Sequence, residues 1–271
     1  MNKNNIPKVL VIAGSDSSGG AGIQADIKTL TVFKVYSMTA ITAITSQNTN
    51  GVSGVESVSI DLIKKQIEDC ISDIGVDAIK IGMVNKAEIF NLIFETLKKY
   101  QIIEKNIPII LDPVMFAKGG FPLLENQAIS ALKEFINQVD CIITPNIPEA
   151  ETLSGLKIFN KNDMIKAAKH IKIKGTSRIL LKGGHLNEID LCDILYDGNK
   201  LFEFYSKKIN TNNTHGTGCT ISSAITANLS KGFSLHESVS IAHKYVYKSI
   251  LQAPNLGSGH GPLNHFHEIP D

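Results

Sequence analysis

Short apolar runs alternate with longer stretches of helical periodicity along most of the chain. Several runs are apolar at consecutive positions, as expected for strands with both faces buried; the runs cover residues 8–13, 39–45, 77–81, 107–111, 140–143 and 178–181. Apolar residues recur at helical spacing in 60–72, 86–100, 127–137 and 163–174. This alternation predicts an α/β fold with a central, mostly parallel sheet flanked by helices on both faces.

The last third of the chain follows a different pattern. Residues 192–196 and 201–205 alternate around Asp197-Gly198-Asn199, which predicts a hairpin with a tight turn. Helical spacing returns in 218–229 and 235–251. The sequence contains no repeat, no low-complexity tract and no linker rich in Pro, Gly or Ser. We therefore expect one domain over residues 1–271.

Composition and charge exclude several classes of protein. The 271 residues are 43% hydrophobic, and 27 Lys and Arg face 26 Asp and Glu, so the net charge is +1. This balance offers no general attraction to nucleic acid or to an anionic membrane. No apolar run reaches the length of a membrane span. The four cysteines lack the spacing of a metal site or a disulfide framework, which favours a reducing, cytoplasmic location.

Ligands of such sheets bind beyond the carboxyl ends of the strands, so the loops there are the candidate site. The first loop, residues 14–22, is rich in Gly and Ser but lacks the Lys-Ser/Thr ending of a Walker A loop. A dinucleotide fingerprint is disfavoured because no acidic residue lies between Asp26 and Glu56 to hold a ribose. Asp26 itself shares the inward stripe of the first helix with apolar neighbours. It either braces the glycine loop or, as we favour, accepts a hydrogen bond from a substrate hydroxyl.

Two further strand ends carry polar side chains. Gln47 follows the second strand, and its amide can donate and accept at once, as the edge of an aminopyrimidine requires. A plain polar turn would have the same composition. Asp112 ends the fourth strand, where a carboxylate can contact Mg²⁺ through water.

The next two strand ends add an acidic and a basic element. Asn146 and Glu149 are three residues apart at a predicted helix start, so they form a capping box, position the metal ion of a nucleotide, or both. Lys182-Gly183-Gly184 ends the sixth strand with a cation and two glycines, which allow a phosphate or ribose to approach the backbone.

A glycine-rich turn precedes the helix predicted from residue 218. Gly216, Thr217 and Gly218 place free N–H groups at the positive end of that helix, which favours a phosphate or a developing oxyanion. Cys219 lies in the first turn, where the same field is expected to lower the pKa of its thiol. Inert packing of this cysteine is the alternative.

Eight segments of the sequence, taken in order, resemble those of a known family. They are GSDSSGGAGIQADIKT (14–29), SQNTNGV (46–52), KIGM (80–83), LDPVM (111–115), TPNIPEA (144–150), LKGGH (181–185), NTHGTGCT (213–220) and GPLNHFH (261–267). The set resembles the hydroxymethylpyrimidine/phosphomethylpyrimidine kinases of thiamine biosynthesis, in the ribokinase-like superfamily. The resemblance implies two ATP-dependent phosphorylations, first of 4-amino-5-hydroxymethyl-2-methylpyrimidine and then of its monophosphate, by a homodimer.

The resemblance also implies a role for individual residues. The pyrimidine pocket would be lined by Gly14, Asp26, Gln47, Met83 and Val114. Mg²⁺ would be held with the nucleotide phosphates by Asn146 and Glu149, with Asp112 joining through water. The nucleotide would be approached by Lys182, Gly183, Thr211 and Thr214. The anion hole would be formed by Gly216, Thr217 and Gly218, and Cys219 would take the proton of the substrate hydroxyl, at a position where many relatives have aspartate.

Two other functions compete with this one. Pyridoxine or pyridoxal kinases are similar in the glycine loop, the Asn-x-x-Glu element and the Gly-x-Gly-Cys turn, and dual activity is compatible with both. Gln47 favours the aminopyrimidine, since related pyridoxine kinases depart from Gln-Asn-Thr at this loop. A sensor that binds the pyrimidine without consuming ATP is disfavoured by the complete set of Asp112, Asn146, Glu149 and Cys219.

Overall fold

The computed structural model describes residues 6–117, 120–173, 178–184 and 190–269. Its strands are β1 (Lys8–Asp16), β2 (Tyr36–Asn48), β3 (Gly51–Ser57), β4 (Ala78–Ile81), β5 (Ile109–Leu111), β6 (Ile142–Ile143), β7 (Arg178–Leu181), β8 (Asp190–Tyr196) and β9 (Leu201–Lys207). They form one sheet in the order β3-β2-β1-β4-β5-β6-β7-β8-β9. The strands from β2 to β7 in this order run parallel to their neighbours, whereas β3 and the β8–β9 hairpin add antiparallel edges.

The helices connect these strands. They are α1 (Gly22–Val32), α2 (Ile60–Asp69), α3 (Ala87–Lys99), α4 (Asn126–Gln138), α5 (Ile147–Ser154), α6 (Lys161–Ile173), α7 (Thr217–Ser230) and α8 (Leu235–Leu251), and a π-helical turn at Cys70–Ile74 extends α2. Each helix predicted from periodicity is present, with ends displaced by a few residues. Lys174, the predicted end of one helix, lies outside the described residues.

Alternate residues of the buried strands pack on opposite faces of the sheet. Leu10 and Ile12 of β1 pack in a core with residues of α2 to α6. Val9 and Val11 face the other way and pack with residues of α1 and α7. A further cluster joins α7 and α8 to the strands at the β8–β9 end. The prediction of a mostly parallel sheet with helices on both faces is confirmed.

The sequence pattern did not predict β3. This edge strand contains two glycines, and Val52 and Val55 lie three apart, so the alternation that marks a half-buried strand is lacking. Its pairing with β2 extends that strand to Asn48, three residues into the segment expected to be a loop. Although the nine strands form one sheet, the single domain over residues 1–271 stays a prediction.

Within the described ranges, none of the helices combines the length and the hydropathy needed to cross a membrane.

Candidate active site

A cavity of about 820 Å³ opens at the carboxyl ends of the parallel strands, where the topology predicts a ligand site. Most residues singled out from the sequence line it; they are Gly14, Gln47, Met83, Asp112, Val114, Asn146, Glu149, Lys182, Thr211, Thr214, Gly216, Thr217, Gly218 and Cys219. Asp26 and Gly183 do not line it. The individual roles of the lining residues stay predictions, but the fold brings their side chains or backbone to one place.

The glycine-rich turn before α7 has a conformation that only glycine adopts easily. Gly216 is the N-cap of α7 with φ +85°, and a Cβ at this position would lie 1.9 Å from the carbonyl oxygen of Gly20. The turn is therefore packed directly on the glycine loop after β1. Apart from the Thr217 N–H, which donates to the Thr214 carbonyl at 3.4 Å, the first N–H groups of α7 have no partner within the helix and can bind an anion in the cavity.

Asp112 and Lys182 form a charged pair beside this turn. The Lys182 ammonium donates to Asp112 Oδ1 at 3.2 Å and to the Thr144 carbonyl at 2.5 Å, and the Thr144 hydroxyl donates to the same carboxylate oxygen at 3.0 Å. A Cβ on Gly218 would lie 3.2 Å from Asp112 Oδ2 and 3.5 Å from Lys182 Nζ. The glycine-rich turn of residues 216–218, called the anion turn below, and the Asp112 carboxylate thus share one wall of the cavity.

Asn146 and Glu149 form the predicted capping box of α5. Asn146 Oδ1 accepts from the Glu149 N–H at 3.0 Å, and Glu149 Oε2 accepts from the Asn146 N–H at 2.8 Å. Burial raises the pKa of Glu149 to about 7; the Asp112 carboxylate acts in the same direction and the Lys182 ammonium opposes it. Capping does not exclude a ligand role, because Glu149 also lines the cavity.

This donor set fits Mg²⁺. Two buried carboxylates and an amide are hard oxygen donors, and their crowding makes a cation favourable between them. The described residues contain no cluster of three or more His, Cys, Asp or Glu that could hold a metal ion. Such a sparse set suits Mg²⁺, which keeps several waters and binds with substrate phosphates.

Another part of the cavity is lined by Gly14, Gln47 and Met83. A Cβ on Gly14 would lie 2.8 Å from the sulfur of Met83, so the glycine leaves room for that side chain. The Thr42 hydroxyl donates to the Met83 carbonyl at 2.8 Å and holds this loop against β2. Gln47 lies beside Thr45, whose hydroxyl is 3.2 Å from its amide oxygen. Apolar groups and one amide in this part of the cavity suit a flat, polar heterocycle.

Sequence reasoning missed a buried pair of Asp16 and His215 in the same wall. Asp16 Oδ2 lies 2.7 Å from His215 Nε2 and accepts the Ala21 N–H at 2.8 Å. Although burial acts in the opposite direction, these bonds and those from Ser18 hold the pKa of Asp16 well below its usual range. His215 Nε2 is also 3.3 Å from the Gln47 amide nitrogen. The pair joins the glycine loop to the anion turn, and no spacing in the sequence indicates that residues 199 positions apart meet.

The structure corrects the role predicted for Asp26. Its carboxylate is fully buried, accepts from the Lys80 ammonium at 2.9 Å and from the Ser223 hydroxyl at 2.7 Å, and does not line the cavity. The partner that an inward carboxylate needs is a lysine of β4 rather than a substrate hydroxyl. Lys80, which lines the cavity in its place, begins the KIGM segment and interrupts an apolar run, but no role for its side chain follows from the sequence pattern.

Gly183 also has a different role from the one predicted. Its N–H donates to Asp193 Oδ1 at 2.8 Å, and a Cβ on it would lie 2.1 Å from the Cys192 carbonyl. The glycine therefore permits close packing of β7 against β8, and the neighbouring Gly184 reaches the cavity instead.

The thiol of Cys219 contradicts the expected effect of the helix terminus. Burial raises its pKa to about 12; the carboxylates of Asp26 and Asp112 act in the same direction, while the Lys80 ammonium and the Gly22 N–H oppose them. The prediction of a lowered pKa is therefore wrong. At neutral pH this residue is a thiol rather than a thiolate.

Comparison with known proteins identifies the family. Residues 16–264 match the family model described as phosphomethylpyrimidine kinase. The hydroxymethylpyrimidine/phosphomethylpyrimidine kinase of Bacillus subtilis is 43% identical over 263 residues, which cover 97% of this chain and 96% of that protein. A crystal structure of phosphomethylpyrimidine kinase from Clostridium difficile 630 is 43% identical, with a TM-score of 0.78 over 91% of this chain and 100% of that one.

The fold is also similar to kinases of a second vitamin. An ADP complex of Bacillus subtilis pyridoxal kinase is 37% identical, with a TM-score of 0.87 over 97% of this chain and 98% of that one. The sequence relationship and the family model point to the pyrimidine kinases, and the structural likeness places both groups on one ribokinase-like fold. The chain belongs to the phosphomethylpyrimidine kinase family and is a kinase.

Proposed function

We propose that this chain transfers a phosphoryl group from ATP to the hydroxymethyl group of 4-amino-5-hydroxymethyl-2-methylpyrimidine, and then to the resulting monophosphate, in thiamine biosynthesis. One observation carries the proposal. A single cavity is lined by Gln47 and Met83, by the anion turn at 216–218 and by the acidic side chains Asp112 and Glu149. These three groups match an acceptor ring, a phosphoryl group in transfer and a metal-bound nucleotide.

The acceptor end would orient the pyrimidine by one amide and several apolar contacts. The Gln47 amide can pair with the amino group and ring nitrogen of the aminopyrimidine edge. Met83 and Val114 would pack on the ring, which directs the hydroxymethyl group toward Cys219 and the anion turn. The Asp16–His215 pair holds this turn and the glycine loop together, so it fixes the distance between acceptor and anion hole.

The nucleotide end would hold ATP with Mg²⁺. Asp112, Asn146 and Glu149 supply oxygen ligands, directly or through water, and Lys182 balances the charge of Asp112. Thr211 and Thr214 line the same part of the cavity and can donate to phosphate oxygens. A bound Mg²⁺ would neutralise phosphate charge as the transfer proceeds.

The anion turn would contribute more to the rate than the thiol. Donors aimed at developing charge are worth about 10²–10³ in turnover each, and general-base assistance about 10²–10⁴. Cys219 lines the cavity and would take the proton of the acceptor hydroxyl. Because thiolate is scarce at neutral pH when the pKa is about 12, we place the contribution of Cys219 at the lower end of that range.

Pyridoxal kinase activity is the second candidate, favoured by the structural likeness to pyridoxal kinases. Pyridoxal and its relatives are also small heteroaromatic rings with a hydroxymethyl group, so the same cavity can accept them. The amide of Gln47 separates the two candidates, because it complements an aminopyrimidine edge that a pyridoxine ring does not present.

A coupled assay of ADP release tests these assignments. Wild-type protein is compared on the hydroxymethylpyrimidine, its monophosphate and pyridoxine, beside Gln47→Ala and the exposed control Gln138→Ala. We expect both pyrimidines to be preferred. Gln47→Ala should raise KM for the pyrimidine about tenfold with KM for ATP unchanged, as for the loss of one well-placed hydrogen bond. Turnover of pyridoxine alone would overturn the assignment.

We further propose that the kinase is a homodimer. Tyr36 and Ile44 expose 52% and 54% of their surface on β2, beside the antiparallel edge of the sheet. Apolar side chains there suit a contact with a second copy. Sedimentation at micromolar concentration measures the mass, and a monomer that is fully active would refute the proposal.

A further inference from the structure

A buried ion pair contacts α7, the helix that carries Cys219. Lys80 of β4 and Asp26 of α1 are joined at 2.9 Å with both side chains fully buried, and the Ser223 hydroxyl of α7 donates to the other carboxylate oxygen at 2.7 Å. Taking two charges out of water costs several kcal/mol per ion by typical values, which their attraction often fails to recover. The pair therefore adds little net stability to the fold, and stability alone does not explain why these two charges are buried.

The geometry fixes the lysine between its carboxylate and the cavity. Lys80 lines the cavity although Asp26 does not. A Cβ on Gly82 would lie 2.6 Å from Lys80 Nζ, so the backbone of the next loop confines the ammonium on that side. Ser223 and Cys219 are four residues apart on α7 and thus share one helix face. The face that carries the thiol is the face that contacts the ion pair.

The charged and hydrogen-bonding groups that act on the Cys219 thiol come from three parts of the fold. Asp26 and the Gly22 N–H belong to α1, Asp112 follows β5, and Lys80 comes from β4. Lys80 is the cation in this set, and of the charged groups it has the largest influence on the thiol. Its effect is partly cancelled by Asp26, which holds it in place.

We propose that Lys80 is a positioning residue for phosphoryl transfer, an ammonium fixed by Asp26 beside Cys219 that stabilises the thiolate able to accept the proton of the acceptor hydroxyl. The Cys219 thiol first releases its proton to water; in the transfer the acceptor O–H bond then breaks and an S–H bond forms on the thiolate. The acceptor oxygen bonds to the γ-phosphorus while the bond to the bridging oxygen breaks, and ADP leaves. The inference rests on the proposed place of Cys219 beside the acceptor, but its electrostatic content can be tested without substrate.

The test is the rate at which iodoacetamide alkylates Cys219, followed on its own peptide by mass spectrometry between pH 8 and 10, without nucleotide or pyrimidine. Asp26→Asn removes the carboxylate that keeps the buried Lys80 charged, so the pKa of Lys80 falls and the cation beside the thiol is lost; we expect alkylation to slow about tenfold, the effect of one pKa unit. Lys80→Met removes the cation and should slow alkylation. Ser223→Ala changes a hydrogen bond to the same carboxylate without changing charge, so its rate should match wild type.

Slower alkylation in both charge variants, with Ser223→Ala unchanged, is the expected result, since a merely structural defect would expose the thiol and accelerate alkylation in both. Faster alkylation in either charge variant, or an unchanged rate in Asp26→Asn, would overturn the proposal. The buried Cys192 peptide of the same digests reports unfolding. If Lys80→Met fails to fold, the comparison of Asp26→Asn with Ser223→Ala decides alone. The alkylation rates do not depend on turnover of pyrimidines. Failure of the proposed function can therefore be distinguished from failure of this electrostatic proposal.

Discussion

Replacing Gly216 by alanine tests whether the anion turn carries phosphoryl transfer. With φ at +85°, a side chain costs about 1–2 kcal/mol in the left-handed region. The added Cβ would also lie 1.9 Å from the Gly20 carbonyl oxygen, whereas ordinary contact begins at 3.4 Å. The two loops must separate by the difference, 3.4 − 1.9 = 1.5 Å, because both contacting groups are backbone or fixed to it. Displacements of about 1 Å cost about 10²-fold in rate, so kcat should fall by at least this factor.

Gly232→Ala is the matched control. Gly232 also has φ +85°, but a Cβ there meets nothing within 4 Å. It should lose about 1 kcal/mol of unfolding free energy from the backbone conformation and retain its kcat. The assay measures kcat and KM for the pyrimidine and ATP, with urea unfolding of each variant. Near wild-type turnover in a folded Gly216→Ala protein, or equal losses in both variants, would refute the reasoning.

Three further predictions concern ionisable groups. Burial raises the folded-state pKa of Glu149 from 4.5 to about 7, so the folded protein is favoured in full below pH 4.5 and loses stability as the pH rises through 7. Glu149→Gln should therefore lose turnover yet gain about 2–3 kcal/mol in urea unfolding at pH 8 and little at pH 4; destabilisation at pH 8 would contradict this. The pKa of Asp16 is held below its usual value although burial acts in the opposite direction. The ionised Asp16 therefore stabilises the folded protein at neutral pH, and this stabilisation is lost on acidification. Asp16→Asn should lower the urea midpoint more at pH 7 than at pH 3, and equal effects would show that its charge is unimportant. Cys219→Ala should bind the pyrimidine but lose about 10²-fold in turnover of the alcohol, while turnover of the monophosphate is nearly kept; wild-type rates on the alcohol would exclude the thiol as base.

The parallel sheet was predictable because its strands are buried on both faces. Continuous apolar runs such as Leu10–Ile12 follow from that burial, and the loops that follow them must meet at one edge. Gln47, Asp112 and Glu149 could therefore be assigned to one site before any contact was known. β3 could not be predicted, because this edge strand with two glycines has no buried face and so lacks an alternating hydrophobic pattern.

The contacts that connect distant segments could not be predicted in this way. The local pattern correctly made Asp26 a buried carboxylate that needs a partner, but Lys80 is 54 residues away and Ser223 is 197 away. Gly183 looks like a phosphate-binding glycine until Cys192 and Asp193 of the next strand are placed beside it. In each case the sequence indicates an unusual position, and only the tertiary packing determines what it contacts.

The high pKa of Cys219 suits an enzyme with two acceptors of different charge. A hydroxymethyl group must lose its proton during transfer, whereas a phosphate monoester has its second pKa near 6 and attacks as a dianion at neutral pH. An aspartate at residue 219 would keep a negative charge beside that dianion. Repulsion between the two charges would weaken binding of the monophosphate in a cavity that already contains Asp112 and Glu149. A thiol with a pKa of about 12 is neutral when the monophosphate binds, and Lys80 can favour its ionisation when the alcohol binds. In the proposed mechanism the same residue would serve the first transfer as a base and the second by carrying no charge, so Cys219→Ala should separate the two reactions.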